Sequence, residues 1–139
     1  MQPIDVARLI PQQVKESKNP LPDYLSPALI ASLEAADIAC YVVNRGYSSY
    51  LPLRGGLIIA SLEQAVNIAT KYRLSVRQAC DAIVLHELGH ATMSVARVNQ
   101  VPPGRDKECL AWLLGRVFLH LTSVPSEIYT QLSVELLEG

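Results

Sequence analysis

The chain has 139 residues, half of them apolar and 18% charged, with a formal net charge of −1. That balance excludes a disordered polymer and removes the electrostatic case for nucleic acid as a main partner. It fits one folded domain over residues 1–139, with a single core.

The opening residues, Met1-Gln2-Pro3-Ile4-Asp5, lack the basic-then-apolar build of a signal peptide. The most apolar stretch, Leu110 to Leu121, is interrupted by Arg116 and is too short to span a bilayer. Cys40, Cys80 and Cys109 are odd in number and form no C-x-x-C pair. A cytoplasmic protein without membrane attachment or a disulfide framework is expected.

Residues 1–25 carry Pro3, Pro11, Pro20 and Pro22, which predicts an irregular N-terminal arm with a short amphipathic turn around Asp5–Ile10. Ser26-Pro27 then opens a helix, hydroxyl at the cap and proline at the first helical position. Leu29, Leu33, Ala36 and Cys40 fall on one face of it. Residues 38–43 are rich in strand formers, so that stretch reads either as helix or as a first strand. Ser49 to Leu53 and Leu57 to Ala60 are two strand-like runs around an Arg54-Gly55-Gly56 turn. Pro52 cannot donate a ladder hydrogen bond and assigns its strand to an edge.

Ser61 with Gln64, and Ser75 with Gln78, have capping-box spacing and predict two helix starts. Along the second helix, Val84, Leu88, Ala91 and Val95 form an apolar stripe. Pro102-Pro103-Gly104 breaks the chain, a further helix runs from about Asp106 to Leu121, and a last one covers Ser126 to Leu137 with Ile128, Leu132 and Leu136 on one face. The expected fold is α+β and mainly helical, with a small two- or three-stranded sheet packed on the helix from Ser75.

That helix carries His86-Glu87-Leu88-Gly89-His90, which uses two of the three histidines in the chain. Histidines four apart project from one helix face, one turn above the other, where they can share a zinc ion with a carboxylate beside it. Gly89 lowers helix propensity by about 1 kcal/mol relative to alanine, a sign of another backbone passing close.

A catalytic zinc takes three protein ligands and keeps one position for water. Asp106, Glu108, Cys109, His120 and Glu127 are the downstream candidates for the third. Glu108 and His120 are separated by about 18 Å of helix, so they cannot both serve one metal on a continuous helix. Glu108 is favoured. It follows the Pro-Pro-Gly connection, and Ala111 and Gly115 continue nearly its face with small residues that permit a close helix contact. Glu108 also reads as an ordinary first-turn acid, and Cys109 or His120 stay open as ligands.

The pentapeptide together with Glu108-Cys109-Leu110-Ala111 resembles the gluzincin metallopeptidases, most closely the ImmA/IrrE family, with the small minigluzincins as a near alternative. The resemblance covers roughly residues 26–122. It implies a zincin-like fold, a Zn²⁺ cofactor on His86, His90 and Glu108, and Glu87 as the catalytic acid–base group acting on a protein or peptide substrate. The strand Gly56-Leu57-Ile58-Ile59 resembles the edge strand along which that family extends a bound peptide, so the Leu57–Ala60 edge is expected to hold one. Trp112 stands where Asn or Asp is usual and Leu110 replaces a frequent acid, and each removes a polar group that would orient a ligand. An inactive, zinc-stabilised regulatory or interaction module is the competing expectation. Tyr47, Tyr50, Arg54, His120 and Tyr129 are candidate oxyanion donors.

Overall fold

The structure is a computed structural model and describes residues 19–52, 55–95 and 104–136. The turn expected at Asp5–Ile10 and the side chain of Arg54 lie outside those residues. The elements in order are α1 (Leu21–Tyr24), α2 (Pro27–Ala35), β1 (Ala39–Val43), β2 (Ser49–Leu51), β3 (Leu57–Ser61), α3 (Leu62–Tyr72), α4 (Val76–Val95), α5 (Arg105–Gly115), a 3₁₀ segment (Arg116–Leu121) and α6 (Ser126–Glu135). The fold is α+β and mainly helical, with one small sheet. Among the described residues no helix is long and apolar enough to cross a membrane.

The arm expected over residues 1–25 gives way to structure at its end. Pro20 enters α1 with an extended backbone, and Leu25 just beyond it is fully buried. Residues 38–43 resolve as strand. Asp37 takes a left-handed φ of 57°, while Asp37 N–H bonds Glu34 O and Ile38 N–H bonds Leu33 O. That pair of bonds is a Schellman stop, which ends α2 before Cys40 can join its face. Leu29 and Leu33 remain its buried pair.

The strand order is β1-β3-β2, with β3 parallel to β1 and antiparallel to β2. The expectation of a peptide-extending edge at Leu57–Ala60 is therefore corrected. Strand β3 is central, hydrogen-bonded on both sides and buried at all five residues. An uninterrupted apolar run suits a strand covered on both faces. Ile58 and Ala60 join the main core, while Leu57 and Ile59 pack with Val43 in a second cluster. Strand β2, which Pro52 follows, is the outer strand on the side of α4's histidines.

Both capping signals place helix starts correctly, and they are used differently. At Ser75 the box closes: Gln78 N–H donates to Ser75 Oγ and Ser75 N–H to Gln78 Oε1, each at 3.0 Å. At Ser61 the hydroxyl accepts from Gln64 N–H at 3.3 Å, but Gln64 Oε1 accepts from Ser48 N–H at 2.9 Å. Gln64 thus ties the approach to β2 onto α3. Helix α4 is buried around most of its circumference, Val84, Leu88 and Ala91 as expected and Asp81, Leu85 and Met93 in addition. Val95, at its end, is 82% exposed and leaves the stripe. On α6 the buried residues are Tyr129 and Leu132, with Ile128 partly covered and Leu136 exposed.

Candidate metal centre

The site is assembled by two helices that approach each other through glycine. A Cβ placed on Gly89 would lie 1.8 Å from the carbonyl oxygen of Ala111, and one on Gly115 would lie 2.1 Å from that of Leu85. Real side chains do not tolerate such distances, so both positions require glycine and the backbones touch there. The small residues of α5 and Gly89 of α4 therefore have the role their spacing suggests. At Gly115 the α-helix ends and the chain tightens into the 3₁₀ segment; Leu113 in the helix and Val117 in the 3₁₀ segment are both exposed.

This contact brings Glu108 over the histidines. Its Oε2 lies 2.8 Å from His86 Nε2 and 3.0 Å from His90 Nε2. Glu87 Oε1 stands 3.9 Å from His86 Nε2. His86, Glu87 and His90 offer donor atoms all within 4.8 Å of one another, a group positioned to bind a metal ion. The donor set suits a borderline metal such as zinc, whose tetrahedral ligands at about 2.0–2.1 Å stand about 3.3 Å apart. The two Glu108 distances are a few tenths of an ångström shorter, so a small withdrawal of the carboxylate would fit it as a ligand.

The electrostatics divide the two acids. Burial, reinforced by the neighbouring Glu108 charge, pushes the Glu87 carboxyl up to about 8. Hydrogen bonding to His86, with further help from His90, holds Glu108 down at about 2 against its partial burial. One carboxyl is poised to carry a proton near neutrality and the other stays an anion. His90 is pushed down from its ordinary value, chiefly by burial and then by His86, against the pull of Glu108. A neutral imidazole is the form that binds metal.

The group opens onto a cleft of about 1000 Å³, also lined by Tyr47, by Ser49 and Tyr50 of β2, by Gln64 and Asn67 of α3, and by Arg105 and Lys107 of α5. Of the candidate third ligands only Glu108 lines it; Asp106, Cys109, His120 and Glu127 are exposed elsewhere. Among the oxyanion candidates, Tyr47 and Tyr50 face the cleft. Tyr129 is buried, and its hydroxyl donates to the Trp112 carbonyl at 2.5 Å. His120 Nδ1 lies 3.0 Å from Val117 O, away from the cleft.

Trp112 is the neighbour that sequence reasoning missed as a contact. Its ring lies 4.4 Å from that of His86 at an interplanar angle of 32°. The signal was its position four residues after Glu108, one turn further on the same face. No protein-family model, no curated protein and no solved structure matches the chain.

Proposed function

We propose that the chain is a zinc metallopeptidase of gluzincin type, most like the ImmA/IrrE family, that hydrolyses a peptide bond in a narrow protein substrate. The observation that carries this reading is the convergence of His86, His90 and Glu108 beside a buried Glu87 on a cleft wall. His86 and His90 through Nε2, and Glu108 through Oε2, would hold the ion. Zinc there would act as a Lewis acid and lower the pKa of its water toward about 7.

Glu87 suits general acid–base work as a buried carboxyl beside His86 and His90. It takes the proton of the attacking water and returns it to the leaving amine. Glu108, kept anionic, compensates the cation's charge. Tyr50 or Tyr47 would donate to the developing oxyanion. An extended peptide could lie along β2, an outer strand whose Ser49 and Tyr50 line the cleft. The three free cysteines suit a reducing, cytoplasmic setting.

A second reading, a zinc-stabilised regulatory module without turnover, is favoured by one observation: Trp112 lies over His86 and offers that ligand no polar group to orient it for catalysis. Zinc-loaded wild type and Glu87→Gln, presented with a proteome-derived peptide library, separate the two. The peptidase reading expects one zinc per chain in both and cleavage by the wild type alone. Zinc in both with cleavage by neither favours the module, and absence of bound zinc after reconstitution rejects both.

A further inference from the structure

His86 and His90 are held in different ways. Each Nε2 lies against Oε2 of Glu108. The other ring nitrogen of His86, Nδ1, has no such neighbour. That nitrogen is buried and, among the described residues, has no hydrogen-bond partner. Metal-binding histidines usually donate the second ring N–H to an acceptor, which sets both tautomer and ring orientation.

At His86 the adjoining space is filled by the Trp112 indole. The rings are 4.4 Å apart and tilted by only 32°. A proton on Nδ1 points along the imidazole plane, so a ring stacked over that plane offers it no acceptor. Trp112 is itself held from behind. Tyr129 packs edge-on against it at 5.3 Å and 70°, and the Tyr129 hydroxyl is bonded to the Trp112 carbonyl. The indole is 4% exposed, a fixed wall against the imidazole.

We propose that Trp112 is the positioning residue for His86, fixing its ring by stacking in place of a hydrogen bond on Nδ1, and that the site consequently releases its metal readily. The inference rests on the metal-site reading above. Binding through Nε2 places the ring N–H on Nδ1, where no described residue accepts it. The imidazole gains no basicity from a partner, which lowers metal affinity by about 10- to 100-fold relative to a supported histidine.

The test is zinc titration of the full chain against a chromophoric chelator, for wild type, Trp112→Phe, Trp112→Leu and Trp112→Asn. Phe keeps an aromatic wall and should hold the wild-type dissociation constant within about two-fold. Leu keeps burial without stacking and should weaken binding. Asn removes the stack and leaves the space unfilled, and should weaken binding at least as much as Leu. Weakening in all three in step with lowered thermal stability would mean that Trp112 is merely core, and would overturn the proposal. So would one common affinity across the series.

If neither wild type nor any variant binds zinc, the metal-site reading falls and the affinity claim with it. If all bind equally, only the role of Trp112 falls.

Discussion

Asp81 and Glu87 are both buried acids on α4, six residues apart, and their surroundings differ in kind. Asp81 is fully enclosed, but its carboxylate accepts from Ser26 N–H at 2.9 Å and from Ser26 Oγ–H at 2.5 Å. Burial raises its pKa while those two bonds and the nearby Arg77 pull it down. Glu87 has no hydrogen bond among the described residues; its Oε1 stands 3.9 Å from His86 Nε2, and the Glu108 charge adds to the effect of burial. Burial without compensation is costly for stability and useful for proton transfer. The first acid fastens α2 to the helix, and the second is left with a raised pKa.

The largest effect that would sharpen this contrast is on turnover. Under the peptidase reading, Glu87→Gln should lower kcat/KM by about 10²- to 10⁴-fold, the usual worth of a general base. Zinc content should be unchanged, as measured by metal analysis. The same substitution should alter the stability of the metal-free protein. Between about 4.5 and about 8 the folded Glu87 holds a proton that the unfolded chain has lost, so stability should fall as pH rises through that window. Glu108, depressed to about 2, acts in the opposite sense: its stabilisation is present above about 4.5 and is lost as pH falls toward 2. Denaturant unfolding across pH should show the upper slope in wild type and a flatter one in Glu87→Gln. A slope unchanged by the substitution would remove Glu87 as its source.

Next in size is the contact that brings the two acids' helix against α5. Gly89→Ala gains about 1 kcal/mol of helix propensity. It also drives a methyl into the Ala111 carbonyl, and overpacking of this kind costs about 3 kcal/mol. A net loss of about 2 kcal/mol in chemical denaturation is expected, with weakened zinc binding as Glu108 moves away. Smallest is Ser26→Ala, which strips one of the two bonds from Asp81 and should cost about 1–2 kcal/mol. Zinc affinity should stay as in wild type, because Asp81 lies outside the cleft. A loss of zinc in Ser26→Ala would erase the distinction between the two carboxylates.

Legibility in the sequence followed distance along the chain. The His86–His90 pair, the capping box at Ser75 and the glycine at 89 were readable because one or two helical turns set their geometry. Glu108 was reachable by argument, since Pro102-Pro103-Gly104 and the small residues after it constrain how the next helix returns. Residues 38–43 were ambiguous because the deciding event was a left-handed Asp37, a conformation aspartate visits only in a minority of its positions. Ser26 was read as a cap for its own helix, yet its hydroxyl goes to Asp81, fifty-five residues away. No local pattern encodes that choice.

The amino-acid sequence by itself determined the fold class, the principal helix starts and the placing of two histidines and an acid on one turn of one helix. Those are properties of backbone periodicity and of caps that act within four residues. Only the tertiary structure decided that β3 lies in the middle of the sheet, that β2 borders the cleft, and that Trp112 covers His86 while its Nδ1 goes unpaired. Strand order and ring stacking depend on which surfaces meet once the core closes, and packing between distant segments settles that.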